Sequence, residues 1–445
     1  MRNKYLKEFN KEDSIIVISS FPRKKEKYSK GVCAVASFTK NTLLAIKKQN
    51  QNKRIVVLTM KLGNKEEVYK EDGMLIIRCF KRNSSFSYFN LLQNIRKFNH
   101  VKHVLLEFEF SSFGDISSTG SLSIVIWLLS IFNKRVTIVI HQVLLDLKEI
   151  SGHIGISKKS LKIKFLNFAL KNFYKFITYP AKNIIVLENE LKNRLQNIIP
   201  KEKIVVIPHG VDKQITTALN KKKSKLKLGM EKDELVILYF GYLTWYKGVD
   251  FLVKSLQKHN RINGKKVKLV IAGGPSFTQD KKEHYQAFLR KTENLAKGLS
   301  HIEITGFVPE EKIADYFKAS DVVVFPYRKF MSSSGPFSLA LSFGKPVLLS
   351  ENLQKLIKSN DIKEVLNKTG LLEKDIIFKL NENSLVEKII SVQKISQQKK
   401  LASFSNLLSE KRSFDSLASI YIKTILQNYA KIYNRKLLVS PSITR

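Results

Sequence analysis

Residues 302–350 limit the possible folds of this chain more than any other stretch. They contain two short apolar runs, at 321–325 and 347–349, with small residues and an apolar helical segment between them. A proline ends the first run, and short runs bounded in this way are typical of parallel strands buried on both faces. The stretch therefore predicts a strand–helix–strand unit in a parallel α/β sheet.

The same alternation of apolar runs and helical segments extends along the chain and predicts two Rossmann-like domains. Strands are predicted at 14–20, 54–59, 74–78, 104–107, 136–140, 183–187 and 204–207, and again at 235–240, 267–271, 302–305, 321–325 and 347–349. A lysine-rich segment poor in strands, residues 213–232, separates the two series. We therefore predict an N-terminal domain at 1–207, a C-terminal domain at 208–412 and a long final helix at 413–436.

The chain is strongly basic, with 78 Lys and Arg against 38 Asp and Glu over 445 residues and a formal net charge of +40. A charge of this size attracts polyanions. No zinc-finger spacing or RRM-like aromatic motif is visible, so we favour an anionic membrane surface over nucleic acid. A generally cationic, solvated surface is the alternative.

Cellular location is predicted from cysteine content and apolar runs. Two cysteines, Cys33 and Cys79, give no disulfide framework, and no cleavable signal is visible. The longest apolar run, residues 121–132, is shorter than the roughly 20 residues that a spanning helix needs. We expect a cytoplasmic protein, with peripheral attachment to the inner face of the membrane as an extension of that prediction.

The small residues Ser332, Ser333, Ser334 and Gly335 precede the helical segment that Gly344 closes. A helix start offers free backbone N–H groups and the positive end of the helix dipole, and both suit a phosphate group. We predict that these four residues bind a diphosphate.

Loops after three other predicted strands are predicted to contribute to the same ligand site. Gly241 allows close backbone approach, and Lys247 would set an ammonium against a diphosphate leaving group. A solvated lysine is the alternative. Gly273 and Gly274 end the next strand, where a plain turn is the alternative, and Phe307 follows another strand. Ligands of open α/β sheets bind at the carboxyl ends of strands.

Together these segments resemble the donor-nucleotide half of the GT-B glycosyltransferases, in particular the retaining family 4. The resemblance implies that Phe307 lies near the nucleotide base, with packing as the alternative role. Most members of that family carry two glutamates around the small-residue segment, and alignment on residues 344–346 places Met331 and Leu339 there. The family often has an arginine where this chain has Tyr242. Arg328 is a candidate to replace that charge.

The resemblance also extends to the N-terminal domain, and it implies that the final helix at 413–436 crosses back to that domain. It points to Glu109 at a strand end, to His141 after the next strand, near the donor sugar, and to His153 on a glycine-rich loop. Gly31, in a basic first loop, would lie by the phosphates or the acceptor. For a lone histidine such as His141, a structural role is the alternative.

The resemblance implies a glycosyltransferase of the hexosyl type. It would move a sugar from a nucleoside-diphosphate sugar to a hydroxyl of a glycan or lipid-linked acceptor, with retention, as in cell-envelope polysaccharide synthesis. Lys247 and His141 would be its catalytic residues, and neither a metal nor another cofactor is expected. The alternative is a sugar-nucleotide or polyanion-binding protein without catalysis, which Met331 and Leu339 favour. The basic, amphipathic residues 158–176 fit a helix packed on the core or, as the alternative, one lying on a membrane.

Overall fold

The computed structural model describes residues 2–27, 34–155, 157, 159–212, 220–276 and 278–427. The described residues form two compact units. The first draws on Met1–Leu145, Leu166–Gly210 and Phe414–Arg445, and the second on Asp146–Phe165 and Val211–Ser413. The change of unit at Gly210 lies three residues after the boundary predicted from the sequence. Residues 146–165, which were assigned to the N-terminal domain, group with the second unit.

Fifteen strands are formed by the described residues. They are β1 Ile15–Ile18, β2 Ile55–Met60, β3 Glu67–Glu71, β4 Met74–Phe80, β5 His103–Phe108, β6 Arg135–Ile140, β7 Asn183–Val186, β8 Ile204–Val206, β9 Leu235–Phe240, β10 Arg261–Ile262, β11 Lys265–Ala272, β12 Ile302–Ile304, β13 Val322–Phe325, β14 Val347–Ser350 and β15 Ile377–Phe378.

Nineteen α-helices lie between and after these strands within the described ranges. They are α1 Arg2–Phe9, α2 Val35–Gln49, α3 Ser87–Lys97, α4 Phe110–Phe113, α5 Ile116–Ile131, α6 Ser151–Ile154, α7 Leu161–Thr178, α8 Asn189–Leu195, α9 Lys221–Lys227, α10 Val249–Leu256, α11 Glu283–Ala296, α12 Glu310–Ala319, α13 Gly335–Ser342, α14 Gln354–Ile357, α15 Asn360–Thr369, α16 Glu373–Ile376, α17 Glu382–Val392, α18 Ile395–Lys411 and α19 Phe414–Leu426.

The first unit is built on a sheet with the order β3-β4-β2-β1-β5-β6-β7-β8. Its strands pair in parallel except for β3, which is antiparallel to β4. The sequence did not predict β3 because its residues, Glu-Val-Tyr-Lys-Glu, form no apolar run. An edge strand does not need to be apolar on both faces, so this composition fits its place in the sheet.

One face of this sheet is covered by α2 and α19. Phe38 and Leu43 of α2 share a buried core with Leu417 and Tyr421 of α19 and with alternate strand residues such as Val139. Alternate residues of a strand point to opposite faces, so the other half of the strand side chains points to the opposite layer. On that side α3 and α5 lie next to each other, and Trp127 of α5 stacks on the end of α7.

The second unit has a sheet with the order β10-β11-β9-β13-β14-β15, and β12 pairs with β11. All of its pairings are parallel except that between β10 and β11. The two-residue strands β10 and β15 were not predicted because they are too short to give an apolar pattern. Parallel pairing brings the carboxyl ends of β9, β11, β12 and β13 to one edge of the sheet.

Within the ranges that the structure describes, no helix has both the length and the apolar character needed to cross a membrane.

Candidate functional site

Three glycine-containing loops meet at the carboxyl edge of the second sheet. A Cβ atom on Gly273 would lie 1.9 Å from the carbonyl oxygen of Gly241, and one on Gly274 would lie 3.0 Å from the amide nitrogen of Phe307. Gly241 itself has a φ of +127°. These backbones approach each other more closely than any side chain would allow. The predicted residues Gly241, Gly273, Gly274 and Phe307 are therefore neighbours.

Helix α13 begins beside these loops. A Cβ atom on Gly241 would lie 3.1 Å from Cγ of Pro336, in the first turn of that helix. Ser334 is the N-cap residue, and its Oγ accepts a hydrogen bond from the amide of Phe337 at 3.2 Å. The Tyr327 hydroxyl lies 3.0 Å from the same Oγ. The serine cap thus fixes the helix start, with its backbone N–H groups at the edge of the sheet.

The four residues predicted to bind a diphosphate lie at or before the start of α13, with Ser334 as the cap and Gly335 as the first helical residue. Ser332 and Ser333 directly precede them, and both are half-buried. The Oγ of Ser333 is buried and has no hydrogen-bond partner among the described residues. A buried hydroxyl without a partner is uncommon in folded proteins, so Ser333 offers unused hydrogen-bonding capacity at this point.

Lys247 ends a 3₁₀ helix, Trp245–Lys247, and its side chain turns into the same edge of the sheet. Its Nζ lies 3.1 Å from the position of a Cβ atom on Gly241 and 5.9 Å from the ring centre of Tyr327. Lys247 is 8% exposed, and no carboxylate of the described residues forms an ion pair with it. Burial lowers the pKa of Lys247 to about 8. The site therefore holds a buried ammonium for which the described residues provide no counterion.

The turn that positions Lys247 is held from two sides. Gly248 has a φ of +70°, and a Cβ atom there would lie 1.9 Å from the carbonyl oxygen of Pro326, so only glycine fits. Arg328 donates to both carboxylate oxygens of Asp250, at 2.7 and 2.9 Å, and to the carbonyl of Trp245 at 2.7 Å. Its guanidinium is thus bound within the turn. The structure places Arg328 as a support of the Lys247 loop, whereas the sequence suggested it as a phosphate ligand.

Met331 and Leu339 stand where the resembling family carries glutamates. Met331 is buried and Leu339 is half-buried. Neither side chain has an oxygen that could accept a hydrogen bond from a sugar or ribose hydroxyl. The site therefore presents apolar side chains at these two positions.

His153, predicted as a residue of the N-terminal domain, groups with the second unit. Its ring makes an edge contact with Tyr246, with 5.2 Å between ring centres, and Tyr246 in turn contacts Tyr327 at 6.2 Å. Burial, followed by the nearby Lys282, lowers the pKa of His153 to about 4. At neutral pH the imidazole is therefore uncharged.

The first unit contains a second cluster, around His141. The Nε2 of His141 lies 2.7 Å from Oε2 of Glu107, and both residues are buried. The Phe38 ring meets His141 edge-on at 4.8 Å. The hydroxyl of Tyr421 is buried without a hydrogen-bond partner in the described chain, and burial, with a smaller effect of Glu107, raises the pKa of Tyr421. Glu107 thus orients the His141 ring from within the core.

The sequence pointed to Glu109 and missed Glu107. In the sheet register Phe108 pairs with Ile140, so an extended β5 would set Glu109 opposite His141. Instead β5 ends at Phe108, and Glu109, half-exposed, precedes the short helix α4. Glu107, which pairs with Val139, lies two residues earlier on the same face and reaches His141 diagonally. A glutamate inside an otherwise apolar strand was the available signal. Gly31, the fourth predicted residue of this domain, lies outside the described residues.

The described residues contain no group of three or more His, Cys, Asp and Glu side chains that could hold a metal ion.

Comparison with known proteins gives a family match, a similar protein and similar solved structures. Residues 234–393 match the model of the family Glycosyl transferases group 1. An uncharacterized glycosyltransferase of Methanocaldococcus jannaschii is 25% identical over 261 residues, which cover 50% of this chain and 62% of that protein. The chain thus spans about three fifths of the length of this relative.

Two solved structures resemble the whole chain. Sucrose-phosphate synthase from Thermosynechococcus elongatus has a TM-score of 0.67 at 14% identity, over 96% of this chain and 100% of that one. HepE of Anabaena, in complex with UDP-glucose, has a TM-score of 0.56 at 13% identity, also over 96% and 100%. Such structural neighbours are GT-B glycosyltransferases. The family match covers residues 234–393, and the structural neighbours show that the chain has the GT-B fold, as the sequence predicted.

Proposed function

We propose that this protein transfers a sugar from a nucleoside-diphosphate sugar to an acceptor hydroxyl. One observation carries the proposal: the buried ammonium of Lys247, which has no carboxylate partner among the described residues, lies beside glycine backbones and the capped start of α13. Burying a charge without a partner is unfavourable, so such a group is typical of a site whose counterion is a ligand. A diphosphate supplies that counterion and matches the free N–H groups of a helix start.

The same residues would also stabilise the diphosphate as it leaves the sugar. As the sugar–phosphate bond breaks, negative charge develops on the leaving oxygen, where Lys247 and the amides at Ser334 and Gly335 would stabilise it. The Ser333 hydroxyl would donate a further hydrogen bond. Since Met331 and Leu339 provide no carboxylate, we propose that the leaving phosphate takes the acceptor proton, with retention at the transferred carbon. His141, held by Glu107, is proposed to contact the sugar.

UDP-glucose is the first donor to test, because the solved HepE structure that resembles this chain holds it. We propose a hexosyl donor and a glycan or lipid-linked acceptor. Thermal-shift measurements with UDP-, GDP- and ADP-sugars would identify the base, because a ligand that binds the folded state raises the melting temperature. Donor turnover would then be measured as release of the nucleoside diphosphate. Failure of every sugar nucleotide to shift the melting temperature would refute the proposal.

A non-catalytic sugar-nucleotide binder is the second candidate, and the buried, apolar Met331 favours it. The two candidates differ in one measurement. The transferase releases nucleoside diphosphate from a bound donor, slowly with water and faster with the right acceptor. The non-catalytic binder gives the same shift of the melting temperature, and its donor remains intact after prolonged incubation.

A further inference from the structure

Helix α5 has an unusual outward face. Its sixteen residues, Ile116–Ile131, include no charged side chain. Ile116, Ile124 and Ile131 are 82%, 57% and 70% exposed, and their spacing places them on one side of the helix. A surface helix normally carries polar or charged residues on the side away from the core. The outward isoleucines of α5 therefore indicate a surface that something covers.

The neighbouring helices extend this surface on both sides. The hydroxyls of Ser85 and Ser117 lie 2.6 Å apart, next to the starts of α3 and α5. At the other end the guanidinium of Arg96 lies 5.8 Å from the ring centre of Phe132. These two contacts show that α3 and α5 run side by side in the same direction. Phe89, on α3, is exposed like the α5 isoleucines.

Helix α7 lies on the other side of α5. The indole N–H of Trp127 donates to the carbonyl oxygen of Phe176 at 2.9 Å, and the indole stacks on the rings of Phe176 and Tyr179. Phe168 and Phe176 of α7 are both exposed. We define the outer apolar face by six exposed apolar side chains of the three helices that belong to the first unit: Phe89, Ile116, Ile124, Ile131, Phe168 and Phe176.

The charges on the three helices that carry the outer apolar face have one sign. Helices α3, α5 and α7 contain no aspartate or glutamate. Arg96 and Lys97 end α3, and Lys171 and Lys175 are exposed on α7. Asp115 precedes α5 and accepts a hydrogen bond from the amide of Ser118 at 2.8 Å, so it serves as the helix cap. The surface thus combines exposed isoleucine and phenylalanine with lysine and arginine.

We propose that the outer apolar face of the first unit binds the surface of an anionic lipid bilayer. Apolar side chains would enter the boundary between headgroups and acyl chains, while the flanking lysines would meet anionic headgroups. A second copy of this chain fits poorly, because the charges on the three helices are all cationic and two such surfaces would repel each other. Nucleic acid would pair with the lysines but would leave the isoleucines in water. The proposal is independent of the sugar-nucleotide site in the second unit.

The test is cosedimentation of the full chain with vesicles of phosphatidylcholine, with and without phosphatidylglycerol. We expect binding only when the anionic lipid is present. Replacing Ile124→Glu and Ile131→Glu together should weaken binding at least about ten-fold, because two apolar contacts with the acyl region are lost. The matched control is Ile395→Glu, an exposed isoleucine of the second unit, which should bind as the wild type does.

A second pair of variants tests the charges. Lys171→Glu with Lys175→Glu should weaken binding to anionic vesicles several-fold, while Lys399→Glu in the second unit should not. All of these residues are exposed, so the melting temperature and its shift with sugar nucleotides should stay as in the wild type.

The proposal is wrong if the wild type does not sediment with anionic vesicles. It is also wrong if the double variant Ile124→Glu with Ile131→Glu binds vesicles as tightly as the control variant Ile395→Glu. Self-association that the isoleucine pair abolishes, without any vesicle binding, would assign the face to a second copy of the chain and would equally overturn the proposal.

Discussion

Glu107 is fully buried and holds His141 through a single 2.7 Å contact between its Oε2 and the histidine Nε2. The other carboxylate oxygen, Oε1, is buried without a hydrogen-bond partner among the described residues. Removing His141 would leave a buried acid with no partner at all, which is costly. The contact between the two residues therefore has a structural role. In the proposed function, Glu107 also positions the imidazole of His141.

Replacing His141→Ala should have two separable effects. Stability should fall by about 3 kcal/mol, because Glu107 loses its partner. Donor turnover should fall at least about ten-fold, while donor affinity stays within about two-fold. The double variant Glu107→Gln with His141→Ala should recover most of the stability and none of the turnover. Denaturant unfolding and single-turnover kinetics measure the two effects. Recovery of turnover together with stability would show that the pair is only structural.

Lys247→Met should lower activity without lowering stability. The melting temperature should stay the same or rise, because a buried ammonium with no counterion among the described residues is replaced by an apolar side chain of similar length. Turnover should fall at least about 100-fold, because the charge that would stabilise the leaving diphosphate is lost. Lys254→Met, at an exposed lysine of α10, is the matched control and should change neither. Near-normal turnover of the Lys247 variant would remove this residue from the mechanism.

The lowered pKa of Lys247, about 8, predicts a pH dependence of donor binding. Below that pH the ammonium is protonated and attracts the diphosphate. Above it the free protein carries a neutral amine, so affinity should fall by up to about ten-fold per pH unit. A sugar nucleotide is a suitable probe because its esterified phosphates do not titrate near this pH. Titration calorimetry between pH 6.5 and about 9.5 measures the effect. Lys247→Met should show weak binding that is flat over this range, and a parallel slope in both proteins would contradict the assignment.

Gly273→Ala should disrupt the diphosphate-side loops. Its Cβ would lie 1.9 Å from the carbonyl oxygen of Gly241, so one of the two loops must move. We expect a loss of about 1–3 kcal/mol of stability and of the melting shift with sugar nucleotides. Gly63→Ala is the control, because nothing lies within 4 Å of a Cβ atom there. An unchanged melting shift in the Gly273 variant would show that these loops do not meet the ligand.

Metal removal tests whether protein groups suffice to neutralise the leaving group. Because Lys247 and the start of α13 supply positive charge, we expect donor turnover to persist after dialysis against EDTA. The rate with and without added Mg²⁺ or Mn²⁺ should agree within about two-fold. A loss of turnover on chelation that Mg²⁺ or Mn²⁺ restores would mean that an ion shares this role.

The strand order along the chain could be read from the sequence because parallel strands buried on both faces give unbroken apolar runs. Strand β3 could not, since an edge strand of Glu-Val-Tyr-Lys-Glu gives no such run. The glycine loops and the cap of α13 were also accessible, because glycine and serine have distinct backbone roles at turns and helix starts.

Long-range features were not accessible in the same way. The choice between Glu107 and Glu109 depends on the residue at which β5 ends, and that is a tertiary property. The grouping of His153 with Tyr246 joins residues far apart in the chain. The fixation of Arg328 by Asp250 also needed the structure, because a free and a paired arginine look alike in a sequence.

The packing of α19 has a consequence for the order of folding. Leu417 and Tyr421 of this helix belong to the core of the first unit, against Phe38 and the early strands. During synthesis these residues leave the ribosome only after all of the second unit. The second unit can therefore finish folding first. Until α19 is available, one face of the first sheet remains without the helix that covers it. We therefore expect that ribosome-bound chains whose synthesis stops after α18, before α19 is made, need a chaperone to keep that face of the sheet from aggregating.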